Sequence, residues 1–207
     1  MSVESRFAAP ALASLKDCAL DDPRLPTPLF VIDSQKLEKN LRRAKDRAAK
    51  LGVAFRPHLK THKSIGIALR QMTTPQGPAT VSTLAEARYF GARGVTDLIY
   101  AVGIAPQKLA EVSRLRSLGA DIKIILDSAE AARAVSAFCR REKTTIPVLL
   151  EIDVDGHRSG IRPDGAELLP AAAALADGAE LVGVLTHAGD SYECKSTAEI
   201  EAAAEDE

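Results

Sequence analysis

Three short segments contain all four histidines of the 207-residue chain. They are residues 57–63, 151–158 and 186–192, and each also carries acids, cations or an aromatic hydroxyl. Imidazole, amine, guanidinium and carboxyl groups are the side chains that move protons and hold charged substrates in enzymes. Each segment follows a largely apolar stretch of the sequence. We therefore interpret the three segments as parts of one enzyme site.

Lys60 is the strongest candidate for a nucleophile. It lies between His58 and His62, just after a predicted strand, where its amine would face the mouth of a barrel. A lysine that is desolvated and close to other cations can attack a carbonyl as a neutral amine. Lys63 shares the loop and is the weaker candidate. The position alone also allows Lys60 to be an ordinary solvated lysine.

His58 and His62 are four residues apart, a spacing that on a helix would place both rings on one face as metal ligands. Pro57 disfavours a helix over both positions, and the sequence offers no third ligand nearby. We therefore expect no metal site here, and favour histidines that line a pocket or bond to the backbone.

The other two segments offer three further site candidates. Arg158, beyond the turn at Gly156, can hold a carboxylate or a phenolic oxygen in a forked contact. A surface ion pair to a nearby aspartate is its alternative. His187 can equally be a core histidine, and Tyr192 a packed loop aromatic.

The elements that must position these segments alternate between short apolar runs and stretches of helical period. Helices are predicted at 34–51, ending at Gly52, at 106–118, ending at Gly119, and after Asp127 or Ser128, either of which can cap the next helix. Strands are predicted at 29–32, 53–56, 79–82, 98–102, 122–126, 147–153 and 181–186. Runs such as 122–126 are apolar on both faces, as in a covered parallel sheet.

This alternation predicts an α/β fold of the (β/α)8 TIM-barrel type, in which chemistry lies at the carboxyl ends of the strands. The absence of Gly-x-Gly-x-x-Gly and Walker-type loops argues against a nucleotide-binding doubly wound sheet. We count about six βα units where a complete barrel has eight. The sequence also ends in a run of alanines and acids without a helix-ending signal. We therefore expect a truncated barrel.

The composition restricts the partners and the compartment. With 46% hydrophobic and 27% charged residues, the chain has the profile of a globular domain. Its net charge of −1 predicts no nucleic-acid partner, and no apolar run predicts a membrane span. Cys18, Cys139 and Cys194 are widely spaced, which predicts free thiols and a cytoplasmic location.

The run Arg-Pro-His-Leu-Lys-Thr-His-Lys at 56–63, preceded by Thr-Pro-Leu-Phe-Val-Ile-Asp at 27–33, resembles one enzyme family. It is similar to the alanine racemase-like (fold type III) pyridoxal phosphate barrels, in the D-threonine aldolase and D-serine dehydratase branch. The resemblance implies that Lys60 holds pyridoxal 5′-phosphate as a Schiff base and that His58 lines its pocket. It also implies Arg158 near the phenolic oxygen, His187 near the ring, and Tyr192 in the same site.

The same resemblance implies the organisation and the activity. Residues 1–28 would be an N-terminal arm and 29–207 a partial barrel, without the later strands, the phosphate loop and the C-terminal β domain. That missing region would hold a divalent metal, Zn or Mn. The whole protein would be a homodimeric lyase that dehydrates or cleaves small D-3-hydroxy amino acids of the D-serine or D-threonine type. We expect the chain to be inactive alone.

Three alternatives stay open. A non-catalytic barrel that carries pyridoxal phosphate, similar to the homeostasis proteins, would suit a short chain. An amino-acid racemase would use the same lysine. A metal-dependent barrel hydrolase, based on His58 and His62, is disfavoured.

Overall fold

The computed structural model describes residues 15, 17–156 and 158–206. The chain divides into two compact units, Met1–Asp46 and Arg47–Glu207. The boundary lies within helix α1, Ser34–Leu51, which has the predicted bounds. Asp33 accepts a hydrogen bond from the amide of Lys36 (3.0 Å) at its start, and Gly52 has a φ of 67° at its end. A capping aspartate is typical of the first turn of a helix, and a left-handed glycine is typical of the position after its last turn.

The predicted strand at 29–32 is wrong. These residues have no regular secondary structure, and the Phe30 side chain is fully exposed. A strand is stable only when a neighbour satisfies its backbone amides and carbonyls. The described part of the first unit contains no strand that could pair with it.

The second unit is built on a five-stranded parallel sheet in the order β1-β2-β3-β4-β5. This confirms the predicted α/β class and its parallel sheet. The strands are β1 Ala79–Val81, β2 Asp97–Gly103, β3 Asp121–Leu126, β4 Pro147–Ile152 and β5 Glu180–Thr186. All five lie at predicted positions to within two residues.

The predicted strand at 53–56 is also wrong. Residues 53–56 have no strand assignment. Just beyond them, His58 makes an isolated parallel bridge to Thr80, and the carbonyl of Pro57 accepts the amide of Thr80 (2.9 Å). Pro57 has no amide to donate, so a ladder cannot continue through it. Arg56 instead reaches β1 and β2 with its side chain, donating to the carbonyl of Ala79 (3.1 Å).

Six further helices precede, connect or follow the strands in the described part of the chain. They are α2 Ile65–Gln71, α3 Leu84–Gly91, α4 Leu109–Ser117, α5 Ala129–Glu142, α6 Leu168–Leu175 and α7 Thr197–Asp206. The helix predicted from Pro106 begins as a 3-10 turn, Pro106–Lys108, and Gly119 follows its end with a φ of 97°. Of the two candidate caps for α5, Ser128 is the one that accepts an amide, from Ala131 (3.2 Å).

The core lies between the sheet and its helices. Ile124 and Leu126 of β3 are fully buried, as the apolar pattern predicted, and Val135 and Phe138 of α5 belong to the same cluster. At the sheet edge, Val184 of β5 is 66% exposed. None of the described helices is long and apolar enough to cross a membrane. Cys18, Cys139 and Cys194 form no disulfide with one another.

Candidate active site

The carboxyl ends of the strands and the segments after them line a cavity of about 510 Å³. The lining contains all five residues that the sequence singled out, from three separate segments: His58, Lys60, Arg158, His187 and Tyr192. Because parallel strands present their carboxyl ends at one side, the βα loops converge there. The three segments therefore meet at one cavity.

A short 3-10 turn, Leu59–Thr61, positions Lys60. Leu59 is fully buried and anchors the turn in the core, so that Lys60 lies on its cavity side. The Lys60 side chain is exposed, so the described residues do not supply the desolvation expected of it. Lys63 differs, because its ammonium lies 3.2 Å from the carboxylate of Glu86 and it does not line the cavity. The geometry therefore favours Lys60 over Lys63.

His58 supports the turn that carries the lysine. Its Nδ1 accepts the amide hydrogen of Lys60 (3.3 Å), and its Nε2 lies 3.3 Å from the hydroxyl of Ser82. Burial lowers the pKa of the ring below its ordinary 6.5, and the positive charge of Lys60 adds to the effect. A neutral ring that accepts at Nδ1 carries its proton on Nε2, which donates to Ser82.

We expect the His58 ring to titrate below pH 6.5 in the folded protein. As the pH falls, the unfolded chain takes up a proton at this residue first, so the folded state loses stability below about pH 6.5. Imidazole NMR titration, assigned with His58→Gln, measures the ring directly. Urea unfolding across the same pH range should show a weaker pH dependence in His58→Gln. A His58 resonance that titrates at or above 6.5 would contradict this expectation.

His62 does not line the cavity. Its Nδ1 accepts the amide of Ser64 (2.9 Å), and its Nε2 lies 2.7 Å from the side-chain oxygen of Gln71. The two histidines thus divide between the expected roles, with His58 at the pocket and His62 bonded to the protein. Among the described residues, no cluster of metal-binding side chains is found.

The segment after β4 folds back on its strand and carries Arg158. The amide of Ile161 donates to the backbone carbonyl of Glu151 (2.8 Å), and the carbonyl of Ile161 accepts from the amide of Asp153 (3.0 Å). Asp155 accepts the amides of Gly189 (2.5 Å) and Asp190 (3.2 Å), which ties the loop after β4 to the loop after β5. The position of Arg158 is therefore set by two neighbouring strands.

Arg158 does not make the surface ion pair that was its alternative. Within the described part of the chain, it forms no ion pair with Asp153 or Asp155. The carboxylate of Asp153 instead accepts the amide of Gly156 (2.7 Å). A guanidinium exposed on the cavity wall can bind an anionic group.

His187 and Tyr192 follow β5. Their rings contact edge to face, with centroids 6.0 Å apart. Tyr192 is 73% exposed, so it is not the packed loop aromatic of the alternative interpretation. His187 is half-buried and lines the cavity, and its Nδ1 is buried without a hydrogen-bond partner among the described residues.

Glu151 is a cavity residue that was not among the candidates from the sequence. It lies within the apolar strand β4 and is only 5% exposed. Burial raises the pKa of its carboxyl, and the charge of Asp127 adds to this, whereas Ser159, His187 and Arg158 act in the opposite direction. An acid inside an otherwise apolar strand was the signal that could have identified it.

Arg56 is a second cavity residue that was not among the candidates from the sequence. Its guanidinium lies 2.9 Å from the carboxylate of Asp97 and also donates to the carbonyl of Ala79. It stands at the start of the basic run that contains Lys60, but its role in linking the first segment to β1 and β2 depends on contacts distant in sequence.

The chain is similar to several known proteins. The family profile described as alanine racemase, N-terminal domain, matches residues 32–206. A D-threo-3-hydroxyaspartate dehydratase of Delftia sp. (strain HT23) is 45% identical over 185 residues, which cover 88% of this chain and 49% of that protein. A D-serine dehydratase of Schizosaccharomyces pombe is 32% identical over 197 residues, covering 88% of this chain and 46% of that protein.

Solved structures give the same result. The Delftia enzyme matches with a TM-score of 0.84 at 45% identity, covering 88% of this chain and 49% of that one. A D-threonine aldolase from Filomicrobium marinum matches with a TM-score of 0.75 at 28% identity, covering 88% and 50%. A further structure is of a mutant of the Delftia enzyme in the metal-free form. The chain spans about half the length of these relatives.

The profile match extends over most of the chain and includes the parallel sheet and every residue of the cavity described above. The chain therefore belongs to the alanine racemase N-terminal domain family.

Proposed function

We propose that this chain binds pyridoxal 5′-phosphate covalently through Lys60, as the cofactor-binding part of a lyase. The lyase acts on D-3-hydroxy amino acids of the D-serine or D-threonine type, by dehydration or by aldol cleavage. The observation that carries the proposal is the convergence of Lys60 with His58, Arg158, His187 and Tyr192 around one cavity. The relatives named as D-threo-3-hydroxyaspartate dehydratase, D-serine dehydratase and D-threonine aldolase support the substrate class.

The described lining residues fit such a cofactor. Three cations, Arg56, Lys60 and Arg158, line the cavity against a single acid, Glu151, so the wall favours an anionic ligand. The unpartnered Nδ1 of His187 and Oε2 of Glu151 are hydrogen-bonding groups left for a ligand.

Each residue then has a physical task. When bound, pyridoxal phosphate withdraws electrons from the substrate α-carbon. Lys60 would hold the cofactor through its amine, and the same amine, when free, would be a base able to take a proton from that carbon. Arg158 donates a forked hydrogen bond to an anionic oxygen. Neutral His58 holds the backbone of Lys60 in place. His187 and Tyr192 line the cavity on the side of β5.

The remaining features of the proposal concern the whole protein. We assign 1–28 to an N-terminal arm and 29–207 to a partial barrel, and the start of the family match at residue 32 supports this division. A divalent metal, Zn or Mn, would bind outside the matched half, as the metal-free form of a Delftia mutant suggests for that enzyme. The partners are a D-amino acid and a second copy in a homodimer, with neither nucleic acid nor membrane. Free thiols support a cytoplasmic location.

The test is to load the full chain with pyridoxal 5′-phosphate, record its visible absorption, reduce it with borohydride and map the adduct by mass spectrometry. We expect the label on Lys60. No adduct, or an adduct on another lysine, would contradict the proposal. Assays with D-serine, D-threonine and D-alanine, with and without Zn or Mn, then separate dehydration, aldol cleavage and racemisation. A labelled protein without any turnover would favour the carrier-type barrel.

A further inference from the structure

Glu151 is the one acid among the described residues that line the cavity. The residue is only 5% exposed, and its Oε2 has no hydrogen-bond partner among the described residues. A buried polar atom without a partner is costly and rare in a folded protein. Such an atom on a cavity wall indicates a group that the cavity is built to receive.

His187 has a second such atom nearby. Glu151 pairs with Leu185 in the β4–β5 register, and His187 lies two residues beyond Leu185. His187 follows the end of β5, and its charge acts on the Glu151 carboxyl, so the two residues lie near each other at the carboxyl end of the sheet. The Nδ1 of His187 is also buried and has no partner within the described part of the chain, and both residues line the cavity.

The charges indicate which group these atoms receive. Arg56, Lys60 and Arg158 make the wall attractive to anionic groups, but a carboxylate repels them. The Glu151 oxygen must therefore face the part of the ligand that donates a hydrogen bond.

We propose that Glu151 is a ligand-contacting residue whose Oε2 accepts a hydrogen bond from the proton-donating part of the ligand, with Nδ1 of His187 as a neighbouring partner. This inference rests on the proposed function and adds a recognition residue to the same site. A buried carboxyl without a partner destabilises the ligand-free protein but strengthens ligand binding. Replacing Glu151 should therefore weaken binding without lowering the stability of the ligand-free protein.

The test uses Glu151→Gln, which keeps the size and removes the charge, and Glu180→Gln, an exposed glutamate at the opposite end of β5, as its control. The full chain is titrated with pyridoxal 5′-phosphate by visible absorbance, and melting temperatures are measured without it. We expect Glu151→Gln to bind about tenfold to a hundredfold more weakly, as for the loss of a charged hydrogen bond. Its melting temperature should equal or exceed that of the wild type. Glu180→Gln should bind like the wild type.

A second variant, Glu151→Asp, keeps the carboxylate but shortens its reach by one methylene, and should bind with an affinity between those of wild type and Glu151→Gln. If Glu151→Gln unfolds or melts earlier, or both variants bind with wild-type affinity while Lys60 is still labelled, the inference is overturned and the proposed function stands. If the wild type itself gives no Lys60 adduct, the proposed function fails, and this inference with it.

Discussion

Lys60→Ala is expected to abolish covalent binding of pyridoxal 5′-phosphate and, with it, any turnover of D-3-hydroxy amino acids. Alanine has no amine to attack the cofactor aldehyde, and the cavity lining as described contains no other lysine. The visible absorption band and the borohydride-stable adduct should both disappear. The fold should be retained, because the Lys60 side chain is exposed and its backbone hydrogen bond to His58 remains.

Lys63→Ala is the matched control, since it removes an amine from the same loop. Lys63 pairs with Glu86 at 3.2 Å and lies outside the cavity lining, so its loss should cost at most about 1 kcal/mol of stability. Labelling of Lys60 should be unchanged. Disappearance of the adduct in Lys63→Ala, with persistence in Lys60→Ala, would show that the wrong lysine had been chosen.

Gly160→Ala is expected to disrupt the loop that carries Arg158. The φ of Gly160 is 130°, and a Cβ there would lie 2.6 Å from the carbonyl carbon of Ile152 and nearer still to the amide nitrogen of Asp153. That amide donates the hydrogen bond to Ile161 that closes the loop. Backbone strain and overpacking together should cost roughly 3 kcal/mol or more. Denaturant unfolding gives the loss of stability, and absorbance titration gives the accompanying loss of cofactor affinity.

Gly156→Ala is the control in the same loop. Gly156 also has a positive φ, 73°, but a Cβ there would meet no atom within 4 Å. Gly156→Ala should lower the free energy of unfolding only by the cost of holding alanine in the left-handed conformation, about 1 to 2 kcal/mol. Equal losses for the two variants would show that backbone conformation alone, without the close approach to β4, accounts for the requirement at Gly160.

Local chemistry made part of the fold predictable. The helix at 34–51 follows from its periodic apolar face and from Gly52, and the buried strands follow from continuous apolar runs such as 122–126. The strands predicted at 29–32 and 53–56 are absent, although their residues favour β structure. Strand formation depends on a partner that lies far away in sequence, whereas a helix satisfies its backbone within itself.

The candidate site divides in the same way. Lys60 and His58 were identified because they stand together in one distinctive run that follows a predicted strand end. For Glu151 the sequence offers one signal, an acid inside an apolar strand, and only the structure shows that the residue is buried and that its Oε2 lacks a partner among the described residues.

By itself, the sequence determined the α/β class, the order of the elements, the family resemblance and the residues near Lys60. These depend on side-chain periodicity and on neighbours within a few positions. Only the tertiary structure decided that Lys60 faces the cavity while Lys63 pairs with Glu86, and that Glu151 and His187 line the same cavity. Burial, pairing and convergence arise from contacts between segments that are separate in the sequence, such as those of His58 and His187, and no local pattern encodes them.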